Sequence, residues 1–381
     1  MRILVTPDSF KGTMSSQRIC DIFEEIAQEI SSKFTIVKVP VADGGEGTID
    51  AMVAATGGEI RTRKVTGPLG NPTMARYGVL GDGVTAVMEM AEASGITLVP
   101  RHELNPLKAS SLGTGELIKD AIDTGCQKII MGIGGSATND GGMGMLSALG
   151  FQFKNAHGQN LTPCGEALGA ITAIQTDTVD PRLSHIQITV ACDVDNPLLG
   201  ERGATQVFGP QKGATPEYLT TLENGMKQYA KVTSLHFGSE NSTLPGAGAA
   251  GGLGFALISY LGAQLKPGFR LVADALNLDG IIRDGNFQLI VTGEGMMNSQ
   301  TLSGKLPMGI ANLGKKHGVP VVAIVGAAGD GIEPLYKEGL VGVFSTMRAP
   351  MNLDQALKQA EGDLRMTVES ILRFADALGS L

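Results

Sequence analysis

Residues 132–144 read G-I-G-G-S-A-T-N-D-G-G-M-G, six glycines in thirteen residues, and no other stretch limits the possible folds as strongly. An apolar run at 128–131, K-I-I-M, precedes it with the character of a buried strand, and M-L-S-A-L at 145–149 predicts a helix after it. Glycine reaches φ > 0 and lets backbone come close to a neighbour with no Cβ between them. A strand, a glycine loop and a helix start together turn backbone N–H groups toward a phosphate. The competing explanation is a glycine-rich turn that serves packing alone.

The remaining glycines cluster in the same way. There are 53 in 381 residues, nearly twice the usual share of about 7%, with no collagen period, which implies several special loops. A chain of this length predicts two domains, and 43% hydrophobic residues support folded cores. A net charge of −8 speaks against a nucleic-acid or anionic-membrane partner. Cys20, Cys126, Cys164 and Cys192 are scattered without C-x-x-C spacing, and the five histidines show no H-x-x-H pattern. Disulfide frameworks and zinc hydrolysis therefore lack support. The first strand is cut by Pro7, and no apolar run reaches the roughly 18 residues of a membrane span. A reduced, cytoplasmic setting is expected.

Hydrophobic periodicity lays out the order of elements. A strand at 2–6 leads through P-D-S-F-K-G-T-M to a helix capped by Ser15 or Ser16, with Ile19, Ile22, Phe23, Ile26 and Ile30 at helical spacing. A strand at 34–39, the loop V-A-D-G-G-E-G and a helix from Thr48 follow. Residues 59–90 predict an antiparallel meander, and 114–124 a helix before the strand at 128–133. The middle, about 150–280, is less regular. From about 285, strands at 289–292, 319–325 and 341–346 alternate with helices to the end. Strands alternating with helices at both termini imply one doubly wound parallel sheet built from both chain ends, with a mixed α/β domain inserted. The loops after 2–6, 34–39, 128–133 and 289–292 would then all sit at carboxyl ends of strands, where such sheets bind ligands.

Several loops carry groups suited to phosphate chemistry. The P-loop pattern G-x-x-x-x-G-K-[ST] does not occur. G-A-G-A-A-G at 246–251 matches G-x-G-x-x-G, but it follows a polar stretch, not a strand, so a dinucleotide fingerprint is weakly supported. Lys11 is placed to reach an anion. Asp43 and Glu46 offer carboxylates on a close-approach loop, and magnesium needs only one or two when it also bridges phosphates. Asp193 and Asp195 follow a strand and share one side if the chain stays extended. Either could accept a hydroxyl proton in a phosphoryl transfer, which depends mostly on positioning and charge neutralisation. The other reading of the pair is an Asx-turn.

Together these loops resemble the bacterial type-1 glycerate kinase family. The strings are P-D-S-F-K-G (7–12), A-D-G-G-E-G-T (42–48), S-S-L-G-T-G-E-L-I (110–118) and the glycine loop 132–144. A-C-D-V-D-N-P-L (191–198), F-G-P-Q-K-G-A-T (208–215), G-A-G-A-A-G-G-L-G (246–254), T-G-E-G (292–295) and S-Q-T (299–301) continue the likeness nearly end to end. The resemblance implies a flavodoxin-like domain, expected at 1–58, 84–135 and 285–381, and an inserted restriction-enzyme-like mixed α/β domain at 59–83 and 136–284. It also implies ATP- and Mg²⁺-dependent phosphorylation of D-glycerate, with 2-phosphoglycerate as product, in organic acid metabolism. Another small hydroxy acid as substrate is the neighbouring alternative, and the oligomeric state stays open between monomer and homodimer.

On that reading the reaction lies in a cleft between the domains. Asp193 orients and deprotonates the acceptor hydroxyl, with Asp195 as alternative, and Lys11 assists. Phosphates rest on Gly134, Gly135, Ser136, Thr138, Asn139, Asp140 and Gly141, with Gly248, Gly251, Gly252 and Glu294 as further contacts. Asp43, Glu46 and Glu294 are the metal candidates. Ser9, Lys212, Arg270 and Arg348 are the candidates for holding glycerate. One departure stands out. Where the resemblance implies Arg-x-Asp after T-G-E-G, this chain has Met296-Met297-Asn298. A lost transition-state arginine could cost on the order of 10³-fold, which makes a catalytically weakened nucleotide- or glycerate-binding member the rival. An arginine and aspartate lost together as an ion pair could be nearly neutral.

Overall fold

A computed structural model describes residues 1–299, 301, 306–349 and 351–378. The chain divides into two units, Met1–Gly57 with Gly268–Leu381, and Gly58–Pro267. The architecture is mixed α/β with parallel sheets.

In the first unit five strands pair in parallel, in the spatial order Leu340–Ser345, Val321–Ala328, Leu289–Met297, Arg2–Val5 and Thr35–Lys38. The helix Ser16–Ile30 forms as its spacing predicts. Ser15 caps it, its side chain accepting from Arg18 N at 3.2 Å, and Ile19, Ile22, Phe23 and Ile26 are buried on one face. They pack with Ile3, Val5, Val291 and Ile324 of the sheet and with Leu364, Val368 and Leu372 of the C-terminal helix Leu353–Leu378. Phe23 is fully buried, and truncating such a ring to alanine costs about 3–5 kcal/mol. The helix predicted from Glu333 is a single turn, Pro334–Lys337.

In the second unit six strands run in the order Gln264–Lys266, Gln187–Ala191, Lys128–Gly132, Thr85–Glu89, Pro72–Val79 and Glu59–Thr66. The first four pair in parallel and the last two antiparallel, so the predicted meander is present. Its core joins Tyr77, Met88, Leu117 and Met131 to Met143, Leu146, Tyr229, Leu253 and Phe255.

This pairing corrects the expected division of the chain. Residues 84–135 belong to the second unit, because Thr85–Glu89 pairs with both Pro72–Val79 and Lys128–Gly132. Helices Gly268–Ala275 and Leu278–Asp284, expected in the insert, belong to the first. The glycine loop therefore leaves a different sheet from the one that carries Lys11. Strand–helix alternation looks the same in either sheet, since it records local period and not the pairing partner. Among the described residues no helix is long and apolar enough to cross a membrane.

Candidate active site

In the first unit the pairing of Arg2–Val5 with Leu289–Met297 continues past the end of the shorter strand. Thr6 N donates to Val291 O at 2.8 Å and Asp8 N to Gly293 O at 2.9 Å, which lays Asp8 beside Gly293 and Glu294. A cavity of about 410 Å³ opens here. Asp8, Ser9, Lys11, Thr13, Asp43, Glu294, Thr346 and Asp363 form its polar lining, and Phe10, Met296, Met347, Met351 and Leu357 much of its apolar wall. Four carboxylates thus face one ammonium.

The electrostatics follow from that imbalance. Asp8 is 5% exposed, and its carboxyl is pushed up to about 7 by burial and then by the Asp43 and Glu294 charges. The Ser9 N–H, donating to Asp8 Oδ1 at 2.7 Å, and Lys11 only partly offset this. Burial alone would lower the Lys11 ammonium, but Asp43, Asp8 and Glu46 outweigh it and hold the group above its ordinary value. Lys11 Nζ lies 3.6 Å from Asp43 Oδ2. Glu294 is buried, and its Oε1 accepts from Thr301 Oγ1 at 2.6 Å. Met296 is 52% exposed in the cavity wall. Gln300 of the S-Q-T string lies outside the described residues.

Among the described residues no three His, Cys, Asp or Glu side chains gather closely enough to hold a metal by themselves. Magnesium asks for less, because phosphate oxygens and waters complete its shell. Burial and then the Asp43 and Glu294 charges raise Asp8, and a dication beside these carboxylates would relieve the second of those causes.

In the second unit the glycine loop has two distinct parts. Gly134 and Gly135, one residue beyond Lys128–Gly132, are exposed, whereas Ser136, Thr138, Asn139, Asp140 and Gly141 are buried. Asp140 ties the buried part together. Its Oδ2 accepts from Ser111 N and Ser111 Oγ, both at 2.8 Å, and from Gly144 N at 3.1 Å, and its Oδ1 accepts from Gly142 N at 3.2 Å. Burial raises its carboxyl while those bonds pull it back. Met145 N donates to Ser111 Oγ at 3.0 Å, so several N–H groups at the start of helix Met143–Ala148 are taken up internally. Gly141 sits at φ 61, and a Cβ there would lie 2.7 Å from the Tyr229 ring. Asn139 Nδ2 donates to Thr205 Oγ1 at 3.1 Å, while Asn139 Oδ1 and Thr138 Oγ1 are buried with no hydrogen-bond partner among the described residues.

Other candidates gather around this loop or lie apart from it. Lys212 is 1% exposed, and its Nζ donates to Ser136 Oγ at 2.7 Å and Thr138 O at 2.6 Å. Gly251 and Gly252 follow Ala250 in a left-handed kink of helix Ala249–Leu261, and Gly141 N donates to Gly251 O at 3.0 Å. Gly248 N donates to Asn196 O at 2.9 Å, beside the Asp193–Asp195 loop. Asp193 and Asp195 are exposed, and both Asp195 oxygens accept from Arg202 Nη2 at 3.0 Å. In the first unit Glu46 and Arg270 are exposed, and exposed Arg348 donates to Met366 Sδ at 2.6 Å. Asp8 carries no motif of its own and stands between the first strand and Ser9. Its signal was that position, since the strand's last pairing carries it to Glu294.

The sequence matches the family model described as Glycerate kinase family over residues 3–376. It is 46% identical over 360 residues to the glycerate 2-kinase of Escherichia coli (strain K12), with 94% of each chain covered. It is 43% identical over 369 residues to a glycerate kinase of Halalkalibacterium halodurans, with 97% of each covered. A crystal structure from Salmonella typhimurium LT2, assigned as glycerate kinase 2, superposes with a TM-score of 0.90 at 44% identity over 100% of both chains.

Proposed function

The chain belongs to the glycerate kinase family and is a phosphotransferase, and on that premise we propose that it transfers the γ-phosphoryl group of ATP to D-glycerate, giving 2-phosphoglycerate and ADP. The observation that carries this reading is the cavity beyond the carboxyl end of Arg2–Val5, where buried, mutually repelling carboxylates stand beside Lys11. The parallel order around it, with the second strand at one edge, then the first, then the three C-terminal strands, supports a flavodoxin-like first unit. We assign the restriction-enzyme-like part to the six-stranded second unit.

The acceptor hydroxyl oxygen attacks the γ-phosphorus as the bond to the β–γ bridging oxygen breaks and ADP leaves. Asp193 takes the hydroxyl proton, with Asp195 as the alternative base. An ordinary carboxylate suffices for this, because positioning and charge neutralisation dominate the barrier. Lys11 meets phosphate charge, and in the second unit the exposed backbone of Gly134 and Gly135 is open to a phosphate. Gly248, Gly251 and Gly252, expected on the nucleotide side, are buried, and a Cβ on each would meet backbone of Pro197, Thr138 and Gly141 at 2.2, 2.1 and 2.9 Å, so they serve close packing behind the glycine loop. Ser9, Arg270 and Arg348 are the groups we propose for glycerate. Asp8, Asp43 and Glu294 would hold Mg²⁺, with Glu46 nearby; bound there, the ion neutralises phosphate charge. A reaction that consumes ATP and an organic acid is placed in the cytoplasm.

Met296 motivates a second reading, a weakened member that binds nucleotide or glycerate without efficient transfer. It leaves an exposed thioether in the cavity wall where the resemblance implies a cation. One assay separates the two. ADP release coupled to D-glycerate, with phosphorus NMR of the product, should show turnover and phosphate on the 2-hydroxyl. Nucleotide binding without turnover would establish the weakened member. A panel of small hydroxy acids in the same assay fixes the substrate.

A further inference from the structure

Lys212 stands where a solvated lysine would not. It ends the turn Pro210–Lys212, ahead of Gly213 at φ 90, with only 1% of its surface exposed. A buried amine is costly unless its N–H groups find acceptors. Both acceptors of Lys212 Nζ belong to the glycine loop, Ser136 Oγ at 2.7 Å and Thr138 O at 2.6 Å.

Contacts other than this lysine also hold the path of the loop. Ile96 N donates to Gly135 O at 2.8 Å and Ala137 N to Ser94 O at 2.9 Å, which fixes the backbone on both sides of Ser136. Asp140 fixes the rest through Ser111, Gly142 and Gly144. Beyond its bond to Thr138 O, Lys212 adds control of a side chain. By donating to Ser136 Oγ it occupies a lone pair of that oxygen, and the hydroxyl's own proton is left for donation elsewhere. Ser136 follows the two exposed glycines directly and is 7% exposed.

We propose that Lys212 is a positioning residue that acts through Ser136, holding the hydroxyl with its proton presented to a phosphate of the bound nucleotide. This rests on the reading that the turn at Gly134–Ser136 meets phosphate. Lys212 does not hold the glycerate carboxylate in this scheme, since both of its bonds are internal.

The test is a double-mutant cycle in the full chain with Lys212→Met, Ser136→Ala and the pair, followed by ADP release with D-glycerate and by calorimetric binding of ATP. Each single variant should lower kcat/KM for ATP about 10- to 100-fold, the range of a hydrogen bond to a charged group. The pair should fall no lower than the worse single variant, and KM for D-glycerate should hold within about twofold. Ser136→Thr, which keeps the hydroxyl, should retain most of the activity, and Ser136→Ala should stay folded although the Lys212 amine loses one acceptor. Multiplicative losses, or a KM for D-glycerate that rises in Lys212→Met, would overturn the proposal. If Lys212→Met does not fold, Ser136→Ala decides, and wild-type kinetics in that variant would overturn it. A wild-type protein that binds ATP but turns over no glycerate defeats the kinase reading alone, and both singles must then weaken ATP binding by the same factor. Absence of nucleotide binding overturns both.

Discussion

Replacing Lys212 by methionine should alter how stability depends on pH, in a defined direction. Burial lowers the Lys212 ammonium from 10.5 to about 7, with the Asp140 charge opposing. In the unfolded chain the lysine keeps its ordinary value. Above pH 10.5 neither state binds the proton, so the group costs nothing. Between 10.5 and about 7 the unfolded state binds it and the folded state does not, and folding loses ~1.36 kcal/mol for each pH unit of acidification. Below about 7 both states are protonated and the loss stays constant. Over the whole interval the penalty reaches at most about 5 kcal/mol. Lys212→Met lacks it, so the stability of the variant relative to wild type should improve as pH falls from 10.5 to 7 and then level off. The lost bonds to Ser136 and Thr138 subtract ~1–3 kcal/mol from the variant at every pH and do not change that slope. Urea unfolding at pH 6, 7, 8 and 9 measures the difference, which should move by about 2–3 kcal/mol between pH 9 and 7. Parallel curves for the two proteins would show that the buried amine stays protonated throughout and would refute the argument.

Three further outcomes follow from the sites. Asp193→Asn should lower kcat by ~10²-fold or more while KM for ATP stays within a few-fold, as expected for a base used only in the transition state; turnover near wild type would remove Asp193 from the mechanism. Met296→Arg adds a cation to the cavity that holds Asp8, which should pull the Asp8 titration below about 7 in the metal-free protein, as followed by carboxyl NMR; an unmoved titration would mean that the two groups do not interact. Gly142→Ala places a Cβ 2.5 Å from Ala256 Cβ at a residue with φ 75, and overpacking together with left-handed strain should cost about 2–4 kcal/mol in denaturant unfolding.

Local order was readable where one period dominated. Ile19, Ile22, Phe23 and Ile26 repeat at helical spacing and Ser15 can accept from Arg18, so the helix and its start follow from the residues alone. The meander at 59–89 was equally plain, because its turn residues punctuate alternating runs. Partnership between strands was not. Lys128–Gly132 alternates with helices as the terminal strands do, yet it pairs with Thr85–Glu89 and Gln187–Ala191. Nothing in its five residues distinguishes one parallel neighbour from another, since a strand buried on both faces is apolar in either sheet.

The glycine loop shows the corresponding limit for the site. Glycine signals that something comes close to the backbone, but the residue does not say what. Gly134 would place a Cβ with nothing within 4 Å among the described residues, whereas Gly141 would meet Tyr229 at 2.7 Å. Only seven positions separate them in one motif, yet the first is open to a ligand and the second is filled by the core. Ionisable residues divide in the same way. Asp140 looks like a phosphate-loop acid but spends its oxygens on Ser111, Gly142 and Gly144, and Lys212 looks like a clamp but spends its bonds on Ser136 and Thr138. Asp8, with no glycine beside it, is carried to the cavity by strand pairing. The phosphate and packing explanations of 132–144 are therefore not rivals, since the buried half of the loop gives the exposed half a fixed shape.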